Sequence, residues 1–267
     1  MAGNLSYSQG KIFVGSALVG GSIANVNQTV VYGLESTATM EGNALLPISF
    51  VDEFAQLKQL SNNLAKAEPT GTVEYQWGGV YISGDCSSTT QVFNLDGATL
   101  LKSNHLVLSC VPSEATIVFN IDGTHAGFKN IGLSQFHNQA TKILYNFHEA
   151  TNVEFTWIGV EGSVLAPYAH FENPRGQING TIIAKSWNGP MELHHFPFEG
   201  SLQAILGSDD TAPVANNQTI DLDEDTQVEF ELTATNDNGG SLLFEVVSQP
   251  ENGRLIGSVP NLSLIHI

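Results

Sequence analysis

Cationic residues are scarce in this chain, which has 9 Lys and Arg against 27 Asp and Glu and a net charge of −18. Proteins that bind nucleic acid neutralise phosphates with Lys and Arg, so this balance excludes that class. Cysteine is also scarce: two residues in 267 are too few for a small disulfide-stapled scaffold. No run of 18 apolar residues occurs, so the sequence predicts no membrane span.

Apolar residues are plentiful enough for a folded core, at 42% of the chain with 14 Phe, which excludes a disordered protein. The charge is uneven. Residues 1–207 carry 16 acidic and 8 basic residues, whereas residues 208–267 carry 11 acidic and one basic residue. This break in composition predicts a domain boundary near residue 208.

Both ends of the sequence suggest a piece of a longer protein. The first residues lack the basic and apolar regions of a signal peptide, although the Gly-, Asn- and Thr-rich composition is typical of exported bacterial proteins. Residues 262–267 spell the translation of a common sequencing adapter, so we expect them to be an artefact. The alternative is a native apolar strand.

One helix is predicted over residues 49–67. Ser49 and Asp52 have the spacing of a capping box, and Pro69 and Gly71 follow the helix. Its apolar residues share one face at the period of an α-helix: Phe50, Phe54, Leu57, Leu60 and Leu64. We expect this helix to flank a sheet.

Residues 72–206 contain short runs of β-branched and aromatic residues separated by Gly and Asn turns, which predict strands. The segment 162–166 recurs as 180–184, 18 residues later. A small residue, two aliphatic residues and Ala at such an interval are typical of stacked β-helix coils. The fold prediction is therefore all-β: a right-handed β-helix (β-solenoid) with one flanking α-helix.

Segments 162–169, 176–184, 192–194 and 196–200, with 60–64, 117–123 and 143–150 upstream, resemble the bacterial choice-of-anchor A domain, also described as a collagen-binding or adhesive domain. The likeness covers residues 5–205. It implies a surface or secreted β-helix related to ice-binding-like adhesive domains, without enzymatic activity. The positions that match its motifs are Asn120, Asn146, Ala166, Pro167, Gly180, Glu192, His194 and Phe198.

Residues 211–261 resemble the immunoglobulin-like or cadherin-like repeats of large bacterial adhesins, in the segments 212–216, 223–226, 232–237 and 246–253. Those repeats continue for further strands. The predicted domains are therefore an adhesive domain over 1–207, a truncated Ig-like β-sandwich over 208–261, and the adapter residues 262–267.

Cys86 and Cys110 are the two cysteines, 24 residues apart. In an exported protein we expect them to form a disulfide that joins neighbouring coils. The alternative interpretation is two buried thiols.

Glu192, His194 and His195 combine a carboxylate with two imidazoles, which suits metal binding or proton transfer. In a strand, Glu192 and His194 share one face and His195 points to the other. A third ligand would come from elsewhere, such as His170. We favour structural hydrogen bonding over catalysis.

Hard oxygen ligands are grouped in the acidic tail, where Ca²⁺ would rigidify successive repeats. The predicted ligands are Asp223, Glu224, Asp225 and Asp237. The alternative is a solvated acidic surface.

These features together predict a fragment of an extracellular bacterial surface adhesin that binds a polysaccharide or matrix protein without catalysis. A β-helix polysaccharide lyase or glycoside hydrolase is the alternative, and a structural spacer is a further one. Regular Thr-x-Thr ranks, which an ice-binding plane requires, do not recur along the first domain.

Overall fold

A computed structural model describes residues 2–7, 17–24, 40–44, 46, 48–206, 214–223, 226–235, 242, 244–246 and 248–265. The chain divides into two compact units, Met1–Ile205 and Leu206–Ile267. The composition break at residue 208 lies beside this division.

The first unit is mostly β. In chain order its strands are β1 (Leu5–Ser6), β2 (Ala17–Val19), β3 (Ile23–Ala24), β4 (Met40–Gly42), β5 (Thr72–Gln76), β6 (Gly79–Ser83), β7 (Thr90–Leu95), β8 (His105–Ser109), β9 (Thr116–Ile121), β10 (His125–Lys129), β11 (Ile143–Asn146), β12 (Asn152–Thr156), β13 (Ile158–Glu161), β14 (Ser163–Glu172), β15 (Gly176–Asn179), β16 (Ile182–Asn188) and β17 (Glu192–His194).

The predicted helix is α1 (Phe50–Leu64), and the Ser49 side chain accepts a hydrogen bond from the Asp52 backbone at its start. The structure adds helices that the sequence did not predict: α2 (Gly97–Leu100), a 3-10 helix (Ser134–Lys142) and α3 (Gln203–Leu206). No helix within the described ranges is long and apolar enough to cross a membrane.

A curled, seven-stranded parallel sheet forms the main body, in the order β10-β12-β14-β11-β9-β7, with β16 also paired to β14. The first half of β14 continues the row β7–β9–β11, whereas His170 near its end pairs with β12. The register shifts between Ala166 and His170. The sheet therefore curls within this one long strand.

The parallel pairs repeat at regular intervals. Thr90 pairs with Thr116, 26 residues later, and Leu144 pairs with Ser163. Beyond this point Val164 pairs with Ile182, which confirms the 18-residue repeat found in the sequence. Two smaller sheets, β13-β15-β17 and β5-β6-β8, accompany the curled one, and only the β5–β6 pair in them is antiparallel.

Aromatic rings stack in the interior along the register. Phe93, Phe119 and Tyr145 lie on neighbouring strands with ring centroids 5.7 and 5.3 Å apart. Phe128 stacks on Phe155 at 5.6 Å. Burying such rings is the main source of stability in a domain of this kind.

The second unit contains β18 (Val214–Ala215), β19 (Gln227–Glu231), β20 (Ala234–Thr235), β21 (Arg254–Ser258) and β22 (Asn261–Ile265). β22 is the central strand of an antiparallel sheet with β19 and β21, and β18 pairs with β20. Residues 262–265 thus form part of a strand, and their origin in an adapter stays a prediction, as does the Ig-like sandwich.

Candidate functional site

Asn120 and Asn146, two motif positions, form a buried asparagine ladder with Asn94. The three residues occupy paired positions on β7, β9 and β11. Asn146 Nδ2 donates to Asn120 Oδ1 at 2.9 Å, and Asn120 Nδ2 donates to Asn94 Oδ1 at 3.3 Å. Each amide therefore satisfies its neighbour inside the unit.

The same ladder holds α1 against the sheet. Ser61 Oγ donates to Asn146 Oδ1 at 2.6 Å, and Asn146 Nδ2 donates to the Ser61 carbonyl at 2.9 Å. Asn120 Nδ2 donates to the Leu64 carbonyl at 2.8 Å. The ladder thus caps the last turn of the helix, which is a structural role.

Three further motif positions serve packing. Ala166 and Pro167 are buried where β14 changes register. Gly180 lies against the preceding strand, where a Cβ would come within 2.1 Å of the Gly162 carbonyl oxygen. Phe198 is half-buried, beside Gly200.

Glu192 and His194 belong to a chain of hydrogen bonds across β13, β15 and β17, which we call the acid–imidazole column. Glu161, Asn179 and His194 occupy paired positions on these strands. Asn179 Nδ2 lies 3.0 and 2.9 Å from the two Glu161 carboxylate oxygens, and His194 Nδ1 lies 2.7 Å from Asn179 Oδ1. His194 Nε2 lies 3.5 Å from Glu192 Oε2.

Glu161 is the centre of this column, with only 5% of its surface exposed. His137 Nδ1, from the 3-10 helix, donates to its Oε2 at 2.9 Å. A buried carboxylate needs such partners, because an unpaired one is costly in the interior. The arrangement holds three strands and the 3-10 helix together.

The proposed metal ligands are not brought together. His170 lies on β14, where its ring contacts Ser186 and Glu172, away from the sheet that carries Glu192 and His194. His195 is exposed. Among the residues that the structure describes, no group of three or more His, Cys, Asp or Glu residues could hold a metal ion.

The calcium prediction in the second unit falls largely outside the described residues. Asp223 is exposed, and its carbonyl accepts a hydrogen bond from the Thr226 backbone at 3.3 Å. Glu224, Asp225 and Asp237 lie outside the described residues. Calcium binding there stays a prediction.

Cys86 and Cys110 form a disulfide at one end of the β6–β8 pair. The Cys86 backbone N–H donates to the Cys110 carbonyl at 2.8 Å. Beside them, hydrogen bonds from the Ser88 hydroxyl and from the Ser88 and Ser87 backbone hold the pKa of Asp85 well below its usual range.

An open surface, here called the polar face, covers the outer side of β10, β12 and β14. Its side chains form ion pairs and hydrogen bonds: Lys129 Nζ lies 3.2 Å from Glu154 Oε1, and His170 Nε2 lies 2.9 Å from Glu172 Oε2. A shallow depression in it is lined by His125, Asn152, Val153, Glu154, Thr156, His170, Glu172 and Asn173.

Both carboxylates on the polar face favour the charged form. For Glu154, partial burial raises the pKa, but hydrogen bonds from Thr156 and Lys129 and the Lys129 charge outweigh it, so the pKa is lowered. Hydrogen bonds from His170 and Asn188 lower the pKa of Glu172. The face thus presents ionised acceptors beside imidazole donors.

Sequence reasoning missed Glu161, Asn179 and His137, because neither spacing nor residue type singles them out. The asparagine ladder had a readable signal. Each of its residues lies between an aromatic and an apolar residue, in triplets 26 residues apart: 93–95, 119–121 and 145–147.

A family model described as "Putative Ice-binding-like adhesive domain" matches residues 1–195, most of the chain. The protein belongs to this family of adhesive domains. Neither the curated proteins nor the solved structures contain a match to the chain.

Proposed function

We propose that this chain is part of an extracellular surface adhesin whose first unit binds an extended external ligand without catalysis. Family membership supports adhesion. The observation that carries the proposal is the polar face, where parallel strands present hydrogen-bonding side chains in rows about 4.8 Å apart. Such rows suit a ligand that repeats along its length, such as a polysaccharide or a fibrous matrix protein.

The finer architecture of this proposal is a right-handed β-helix of the choice-of-anchor A type, followed by an Ig-like repeat. The parallel pairing at intervals of 26 and 18 residues supports stacked coils. The disulfide supports an oxidising compartment.

Binding without catalysis is supported by the protonation of the polar face. Glycoside hydrolysis requires one carboxyl group that stays protonated to act as the acid. Glu154 and Glu172 both have lowered pKa values, so neither fills that role at neutral pH.

The test is to apply the full chain to a panel of extracellular polysaccharides and matrix proteins, and to assay each polysaccharide for new reducing ends. We expect retention on at least one ligand and no release of product. The double variant Glu154→Gln/His170→Ala should weaken retention. Absence of retention on the whole panel would sink the adhesive proposal, and reducing-end release would replace it with the enzyme.

A further inference from the structure

Two tryptophans at one corner of the first unit are largely exposed. Trp77 is 80% exposed and Trp157 is 70% exposed. Folded proteins seldom leave so large an apolar side chain in water unless it contacts a ligand or partner. Neither residue belongs to the polar face or to a family motif.

Both tryptophans adopt a backbone conformation that suits other residues better. The φ angle of Trp77 is 51°, and that of Trp157 is also 51°. Bulky residues rarely occupy this left-handed region, whereas Asn tolerates it. Asn130 and Asn173, which follow β10 and β14 as Trp157 follows β12, have φ angles of 52°.

Trp77 is the clearer case, because it begins a two-residue hairpin turn. It stands with Gly78 (φ 75°) between the antiparallel strands β5 and β6. Turns with two positive φ angles strongly favour Asn-Gly. A tryptophan here therefore costs conformational energy and gains little burial, so its retention calls for a function outside the fold.

The ring of Trp77 is held in place by neighbours. Trp77 packs edge-to-face against Tyr81 at 5.8 Å, and Tyr81 packs edge-to-face against His105 at 5.3 Å. The Tyr81 hydroxyl lies 2.8 Å from His105 Nε2. This aromatic cluster restrains the indole while leaving most of its surface open to solvent.

The two tryptophans lie along one line across the strands. Gly79, two residues after Trp77, pairs with His105, which pairs with Gly132. Asn130, two residues before Gly132, stands beside Trp157 at the ends of the paired strands β10 and β12. Three strand spacings therefore separate the two indoles, about 14 Å.

We propose that Trp77 and Trp157 form a binding platform for a neutral, β-linked polysaccharide, with successive sugar rings stacked on the indoles. The inference rests on the proposed function and names its ligand class. The axial C–H bonds of such a pyranose ring carry partial positive charge, and the indole face is negative. A neutral chain fits best, because acidic residues outnumber basic ones two to one in residues 1–207.

The test uses Trp77→Asn and Trp157→Asn in the full chain. Cellohexaose, chitohexaose and cellobiose are the sugar probes, and collagen is the protein probe. We expect the parent chain to bind at least one hexasaccharide and each substitution to weaken binding about tenfold. The disaccharide should bind much more weakly, since it cannot reach both indoles.

Thermal unfolding gives the second readout. Trp77→Asn creates an Asn-Gly turn, so its unfolding midpoint should equal or exceed that of the parent chain. The control is Val51→Ala, which removes another exposed apolar side chain (81% exposed) on α1 and should leave sugar binding unchanged. A large fall in the Trp77→Asn midpoint would mean that the indole serves the fold, and would overturn the proposal.

The remaining outcomes separate this proposal from adhesion itself. Hexasaccharide binding that survives both substitutions would overturn the platform, as would binding to collagen alone, and adhesion would stand in both cases. Failure to bind these probes or any ligand of the wider panel would overturn both proposals.

Discussion

The buried asparagine ladder and the exposed tryptophan corner belong to the same unit but solve opposite problems. Asn120 and Asn146 lie inside, with every amide paired to a strand or to α1. Trp77 and Trp157 lie outside, in a conformation that asparagine would adopt more easily. The family motif is therefore concentrated on residues that hold the fold, whereas recognition falls to residues outside it.

The largest effect should come from breaking the interior. Asn146→Ala removes three buried hydrogen bonds and leaves Ser61 and Asn120 with unpaired groups, so we expect a loss of about 3 kcal/mol in the free energy of unfolding. Urea denaturation measures it. The matched control is Asn94→Ala at the exposed end of the ladder, which should cost less than about 1 kcal/mol. Equal losses would refute the ladder's structural role.

Opening the disulfide should have a similar effect by a different route. Cys86→Ser/Cys110→Ser releases a closed loop with a sequence separation of 24, which the loop-entropy treatment values at about 3 kcal/mol. The measurement is the unfolding midpoint of the parent chain with and without reductant. The double variant should not respond to reductant. A parent chain that does not respond either would contradict the bridge.

The acid–imidazole column should give a smaller loss. Glu161→Gln places an amide N–H₂ group where Asn179 and His137 both donate, so we expect a cost of about 1–2 kcal/mol and a change in the NMR signals of His194. Glu192→Gln changes an exposed carboxyl at the end of the same column and serves as the control. Destabilisation by the control alone would reverse the assigned roles.

The smallest effect concerns pH. Ser88→Ala removes the hydroxyl that donates to Asp85, so the low pKa of Asp85 should rise toward its ordinary value, as measured by NMR titration. Ser87→Ala is the control, because only the Ser87 backbone donates. Since the folded pKa lies below the unfolded one, Asp85 stabilises the fold above about pH 4, and this contribution is lost as the pH falls through the folded pKa. An unchanged pKa in Ser88→Ala would contradict this arrangement.

Local sequence patterns predicted the parts of the fold that are written in adjacent residues. The helix at Phe50–Leu64, the strands between 72 and 206 and the 18-residue repeat are all present. Family resemblance predicted an adhesive domain, and the family match confirms that level of description.

Parallel pairing explains what the sequence did not reveal. Glu161, Asn179 and His137 meet only because residues 18 and 24 positions apart fall side by side. The corner likewise depends on φ angles, which nothing in the residues around Trp77 and Trp157 announces, and on the line of strands that joins them. These features follow from register rather than from composition.

The most direct measurement of the account follows the three tryptophan indole N–H signals by NMR while a binding hexasaccharide is added to the full chain. The Trp187 indole donates to the Gly189 carbonyl at 3.1 Å and its ring stacks on Phe171, so it supplies an internal reference. We predict that the signals of Trp77 and Trp157 shift together on titration while that of Trp187 stays in place. Saturable sugar binding that leaves Trp77 and Trp157 unmoved would contradict the division between a structural interior and a recognising corner.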